Sequence, residues 1–190
     1  MGQYYRVYVK TKEKEIVESP TSYDSGLKLM EHSWVGNFFV NSIFEFIKDN
    51  PSNIAWVGDY ASDLREDEYV NKDLSFEKQT EIIGKTYPEK FEYKRNIEKV
   101  KKIIKDGYLI NHTKKVFLDL EKYIKENDDK GWCINPLPLL TAIGNGMGGG
   151  DYRGINFTTV GIWAGDELMY SVSIPKECNE YKEVEYSFKE

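Results

Sequence analysis

"QYYRVYVKTKEKEIVES", residues 3 to 19, decides the fold class. Tyr5, Val7 and Val9 alternate with Tyr4, Arg6 and Tyr8, a charged stretch follows at residues 11 to 14, and Ile16 and Val17 resume the apolar pattern. Period two on both sides of a polar turn predicts a β-hairpin, because successive side chains of a strand face opposite sides of the sheet. A chain that opens on an antiparallel pair, with no strand–helix–strand rhythm behind it, predicts one α+β domain; a doubly wound parallel sheet is the alternative.

Beyond the hairpin the period changes. Trp34, Val35, Phe38, Phe39, Ile43, Phe44, Phe46 and Ile47 recur at helical spacing, and "KDNP" at 48 to 51 stops the run, so an aromatic-rich helix over 34–48 is expected on one face of the sheet. "NIAWVGDY" (53–60) reads as a short buried strand, and "GYLINHTKKVFLDL" (107–120) as a second hairpin. Residues 61–106 are charge-rich and hold nine of the 22 lysines. Ile97, Val100, Ile103 and Ile104 mark one helical face there, so this stretch is expected to be a charged, largely helical excursion. The last third, "NFTTVGIWAGDELMYSVSIP" and "YKEVEYSF", alternates at period two and predicts further antiparallel strands.

The 190 residues, 40% apolar and 14% aromatic, suffice for one core and one domain, 1–190. A formal net charge of −6 gives no long-range attraction to phosphate backbones or anionic lipid, so generic nucleic-acid and membrane binding are not expected. No apolar run reaches the roughly 18 to 20 residues of a membrane span, and no apolar leader opens the chain, so a cytoplasmic location is expected. Cys133 and Cys178 lack CxxC spacing and read as reduced and packed.

Candidate chemistry gathers at loops and strand ends. "IGNGMGGGDYRG" (143–154) bares a run of backbone and then sets Asp151 and Arg153 behind it. Glycine brings backbone close to a bound group, and consecutive N–H groups there form an anion-binding concavity to which Arg153 adds a charged fork. Asn145, Gly146, Gly148, Gly149, Gly150, Asp151 and Arg153 are therefore candidate ligand contacts, against the plain account of a flexible hairpin loop. The letters G-x-G-x-x-G fit Gly144, Gly146 and Gly149, but "DYRGINF" behind them reads as a turn into a strand rather than the helix a dinucleotide fingerprint needs. No cofactor is assigned.

Three tryptophans share one tetrad, Trp34-Val35-Gly36-Asn37, Trp56-Val57-Gly58-Asp59 and Trp163-Ala164-Gly165-Asp166. Common turn chemistry accounts for it, or else Asp59 and Asp166 line one cleft. His32 and His112 are the candidate general bases, with Asp59 or Asp151 to orient them; the plain accounts are a backbone-bonded histidine beside a helix start capped by Ser33 or Asn37, and a turn residue. With no HExxH and no paired cysteines, no metal site is assigned.

The blocks "MGQYY", "GLKLMEHSWVGNFFV", "AWVGDYA", "INHTKK", "PLPLLTAIGNGMGGGDYRG" and "VGIWAGD", in this order, resemble those of a family of small bacterial proteins of Gram-positive genomes and their mobile elements. The resemblance reaches from the N-terminus to about residue 166, skips 61–106, and implies no activity. Arginine often stands in that family at the positions of Met147 and Gly165 here, which weakens an anion contact through them.

Three readings follow. One is a ligand-binding protein whose pocket is lined by His32, Asp59, His112, the 144–151 loop and Asp166, taking a nucleotide or another small anion. Another is a hydrolase-type enzyme using the same pocket. The third is an acidic inhibitor or immunity-type protein that occludes a protein partner.

Overall fold

A computed structural model of the chain describes residues 2–63, 73–144 and 157–188. The first hairpin forms as β1 (Tyr5–Lys10) and β2 (Glu15–Glu18), with Val7 opposite Glu18 and Lys10 opposite Glu15. Its turn is closed by Thr11, whose N–H donates to the Lys14 carbonyl and whose hydroxyl oxygen accepts from the N–H groups of Glu13 and Lys14. The second hairpin forms as β4 (Tyr108–Asn111) and β5 (Val116–Asp119), with Lys115 at φ 54 in its turn.

Between them lies β3 (Ser52–Gly58), the "NIAWVG" strand. One edge pairs antiparallel with β1 from Asn53 to Gly58. The other edge is shared: β7 (Glu167–Ser171) pairs antiparallel with Ser52 and Asn53, and β6 (Ala142–Ile143) pairs parallel with Trp56 and Val57. Among the described residues the order is β2-β1-β3-β7-β4-β5-β8, where β8 (Lys182–Glu183) runs parallel to β5. The sheet is mixed and mainly antiparallel, and the fold is a single α+β domain.

Strand alternation assigns the faces. Val7 stands opposite Trp56, Ser52 opposite Leu168 and Leu109 opposite Tyr170, so Tyr5, Val7, Val9, Ile54, Trp56, Leu109, Leu168 and Tyr170 share one face and one core cluster. α2 (Phe38–Phe46) buries Phe39, Val40, Ile43 and Phe44 in that cluster. On the other face Tyr8, Ala55 and Val57 pack with Ile82 of α3 (Phe76–Thr86), and further along Ile110 and Met169 pack with Cys178. Short α-helices α1 (Leu29–His32), α4 (Leu120–Asn127) and α5 (Pro136–Leu140) are the other α-helices among the described residues. No helix among the described residues is long and apolar enough to cross a membrane.

Three expectations need correction. The aromatic helix begins at Phe38, not Trp34. Gly36 takes φ +100, outside the helical region, Trp34 bridges to Ile134, and Asn37 caps the helix by accepting from the N–H groups of Phe39 and Val40. Within the described part of 61–106 the α-helix is Phe76–Thr86, a short 3-10 turn stands at Ala61–Asp63, and residues 87–107 contain neither helix nor strand. Ile97 and Ile104 are buried as the pattern suggests, yet the N–H groups of Val100 and Ile104 are taken by Ser42 Oγ and Asn41 Oδ1 of α2 instead of a helical ladder. The stretch is an extended strap laid over α2. In the last third, Gly161 and Gly165 take φ +74 and +76 and break the alternating pattern into turns, which leaves β7 and the two-residue β8 as its strands among the described residues.

The Asn37 cap is exposed to a direct test. Asn37→Ala removes an acceptor shared by two helical N–H groups and is expected to lower unfolding free energy by about 1 kcal/mol in a urea titration, whereas Asn37→Asp retains most of it.

Candidate functional site

The expected site residues are dispersed over the sheet. His32, at the end of α1, is fully buried. Its Nε2 accepts from the Trp56 indole N–H at 3.0 Å, so Nδ1 carries the proton and donates to the Gly26 carbonyl at 2.8 Å, and Phe39 packs edge-on against the ring. Burial pushes its pKa down to about 4, partly offset by the Gly26 bond. Both nitrogens are committed, and the plain account of this residue holds, with Asn37 as the cap; the Ser33 hydroxyl instead donates back to the Leu29 carbonyl.

His112 follows Asn111 at the end of β4. Ile110 pairs with Met169 on the face opposite Trp56, and the alternation carries His112 to that face, where it shares a 3.1 Å hydrogen bond with the Tyr181 hydroxyl. The two imidazoles stand on opposite faces of the sheet and do not share a pocket. Asp59 and Asp166 do not line one cleft either. The Asp166 carbonyl accepts from the Ile54 N–H, and Asp59 stands five residues further along β3, roughly 16 Å at about 3.3 Å per residue. Asp59 extends the β1–β3 ladder: its N–H donates to the Tyr4 carbonyl and its Oδ1 accepts from the Tyr4 N–H, both at 3.0 Å.

Asn145, Gly146, Gly148, Gly149, Gly150, Asp151 and Arg153 lie outside the described residues. The described start of their loop is informative. Val57 pairs with Ile143, so Gly58 and Gly144 end two neighbouring parallel strands. A Cβ on Gly58 would stand 2.4 Å from Gln3 Oε1, and one on Gly144 would stand 2.4 Å from the Tyr5 hydroxyl. The bare backbone there admits the protein's own Gln3 and Tyr5, both fully buried.

Asp166 does gather polar groups. Its Oδ2 accepts from Asn111 Nδ2 at 2.8 Å and lies 3.7 Å from Lys114 Nζ, which also forms an ion pair with Asp73. Burial raises the Asp166 pKa, while the Asn111 hydrogen bond and the Lys114 charge oppose the rise. Burial acts to lower the Lys114 pKa, but Asp73 and Asp166 outweigh it and the net shift is upward. Burial likewise raises the Tyr186 hydroxyl, with the Lys114 charge opposing the rise and Asp166 adding to it. The blocks "INHTKK" and "WAGD" thus meet through Asn111 and Lys114 instead of His112. The signal available in the sequence was alternation, which puts Asn111 and His112 on opposite sides, but it did not say which of them faces Asp166.

A second feature is an exposed apolar face. Trp34, Phe38, Ile103 and Trp132, exposed to 37, 39, 48 and 49%, are four of the eight large apolar side chains exposed among the described residues. Trp34 and Ile103 both lie within 4 Å of where a Cβ on Gly36 would stand, and Lys99 Nζ sits 5.5 Å from the Phe38 ring. The Trp34–Ile134 bridge brings Trp132 to the same side of that ribbon by alternation. Beside this face runs the strap, where residues 94–105 hold six basic side chains and one acidic one in a chain of net charge −6. Compared with protein-family models, with curated proteins and with solved structures, the chain finds no match.

The buried His32 makes a pH prediction. Its folded-state pKa of about 4 lies below the ordinary 6.5, so its share of stability is complete above pH 6.5 and is lost as pH falls toward 4, to roughly 3 kcal/mol at about 1.4 kcal/mol per unit. Glu18 and Asp166, whose pKa values burial raises, act in the opposite sense. The difference between parent and His32→Gln isolates the histidine: urea titrations from pH 7 to 4 are expected to show a shallower acid loss in the variant.

Proposed function

We propose that this chain is a binding protein that works by docking a macromolecular partner on the face formed by Trp34, Phe38, Ile103 and Trp132. The observation that carries the reading is the exposure of Trp34 and Ile103, which meet at Gly36, with exposed Phe38 and Trp132 close to them in the chain or across the Trp34–Ile134 bridge. Single exposed apolar side chains need no explanation, whereas a joined patch rimmed by charge marks an interaction site. Tryptophan at its centre supports this further, because a large rigid ring gains much buried area on docking for little lost rotamer freedom. Trp34 is already oriented by its indole N–H, which donates to the Glu31 carbonyl at 3.3 Å.

A photo-crosslinking benzophenone side chain substituted at Phe38 or at Trp132 is expected to give one adduct of defined mass in a cell extract. The same group at Tyr4 or Val172, exposed to 49 and 59% elsewhere, is expected to give none. No adduct at the first two positions, or the same adducts at all four, would sink the reading.

A second reading, a pocket for a nucleotide or another small anion, is supported by the Asp166 cluster, where Asn111 donates to the carboxylate and Lys114 stands 3.7 Å from it. Under this reading a panel of nucleotides and small anions contains a compound that raises the melting temperature of the parent. The shift is expected to vanish in Lys114→Met and to persist in Asp59→Asn. A panel without effect on the parent removes this reading and leaves the docking face untouched.

A further inference from the structure

The docking face is chemically polarised, and the polarity bears on what it holds. One half is the strap, with Arg95, Lys99, Lys101, Lys102 and Lys105 in sequence. Lys99 is neutralised by Asp24 at 2.5 Å, but Lys101, Lys102 and Lys105 are exposed and have no ion-pair partner among the described residues. The other half, at Trp132, is bordered by Asp128 and Asp129, and the Asp128 carboxylate accepts from the Gly131 N–H. Positive charge is thus concentrated on one side of the apolar surface.

Anchoring fixes this arrangement. Ile97 and Ile104 are buried, the Ile97 carbonyl accepts from the Tyr23 hydroxyl at 3.1 Å, and the Val100 N–H donates to Ser42 Oγ at 2.8 Å. The lysines between these anchors are displayed from a pinned backbone. A partner therefore meets charges already in place and loses less on association than it would by ordering a loose basic segment.

We infer that the occupant of this face is an acidic protein segment carrying an aromatic or aliphatic anchor, with its carboxylates over Lys101, Lys102 and Lys105 and its anchor against Trp34, Ile103 and Trp132. This rests on the docking reading given above. Two other polyanionic classes fit less well. A nucleic-acid-binding domain carries a basic footprint over its whole contact surface and a high isoelectric point; this chain has a sequence pI of about 5.2. An anionic bilayer is broad and flat, and would bring Asp128 and Asp129 against like charge when Trp132 docks. An acidic segment of limited length avoids both conflicts and matches a cationic strip with an adjoining apolar surface.

The test uses the full chain and a short synthetic peptide of Glu residues interrupted by Leu and Phe, followed by fluorescence anisotropy. Its comparison probes are the Gln-for-Glu version of the peptide, oligothymidylate, and phosphatidylserine vesicles. The acidic peptide is expected to bind roughly tenfold more tightly than its Gln version and to weaken as salt rises. Lys101→Glu with Lys102→Glu is expected to lose roughly tenfold in affinity, while Lys12→Glu with Lys78→Glu, the same change of net charge away from this face, is not. Circular dichroism melts establish that both doubly substituted chains remain folded.

Equal binding of the two peptides, tighter binding of oligothymidylate or vesicles, or unchanged affinity in Lys101→Glu with Lys102→Glu would each overturn the inference. So would a stable dimer by light scattering that Trp132→Ala dissociates, since a second copy would then be the occupant. A crosslinked partner at Phe38 and Trp132 together with no preference for the acidic peptide leaves the docking reading standing and removes this one.

Discussion

The indole N–H of Trp56 is the constraint around which the rest is arranged. β3 is paired on both edges and covered on both faces, and Trp56 lies fully buried on the face that packs against α2. An unmet donor at that depth costs about 1–3 kcal/mol. His32 meets it with Nε2 and passes the demand for a partner to the Gly26 carbonyl through Nδ1. One hydrogen-bond relay therefore ties the central strand to the 26–32 segment and fixes the entry into α2. The same relay removes His32 from chemistry, because an imidazole used at both nitrogens and held neutral by burial has no proton to exchange with a substrate.

Local signals carried most of the fold. Both hairpins were legible, since the polar turn and the period-two runs of "QYYRVYVKTKEKEIVES" and "GYLINHTKKVFLDL" lie within one stretch of chain. The body of α2 was legible from Phe38, Phe39, Ile43 and Phe44. Its start was not, because Trp34 and Val35 continue the apolar count while Gly36 at φ +100 ends the helix for a backbone reason. The strap was misread for the converse reason. Ile97, Val100 and Ile104 have helical spacing, but their polar backbone is satisfied by Ser42, Asn41 and Tyr23, which no window of local sequence reveals. β6 was missed because two residues beside β3 carry no periodicity of their own.

The candidate site was legible only as a set of fragments. Strand-end aspartates, two histidines and a glycine run each drew attention for a sound chemical reason, yet whether they converge depends on register. One residue of phase separates Asn111, which reaches Asp166, from His112, which faces Tyr181 across the sheet. Asp59 and Asp166 sit in like-sounding tetrads but at opposite ends of β3. The tetrad reflects a shared local need, a large aromatic followed by a turn, and not a shared cleft.

Charge segregation is what turns these structural details toward function. α2 directs Phe39, Val40, Ile43 and Phe44 into the core and offers Asn41 and Ser42, both buried, to the strap. Polar residues on a buried helix position are unfavourable unless they are bonded, so the helix and the strap are fitted to each other. Arg6 adds a second fastening upstream, its guanidinium 3.8 Å from the Phe91 ring centre and 4.6 Å from that of Tyr87. Here the chain is pinned from the Arg6 contact at Phe91 to the Asn41 bond at Ile104, and Lys99 between them stands 5.5 Å from the Phe38 ring. The pinned strap stabilises the free chain by burying Ile97 and Ile104 and by bonding Ser42 and Asn41, and on the docking reading it also presents its lysines with their backbone already ordered.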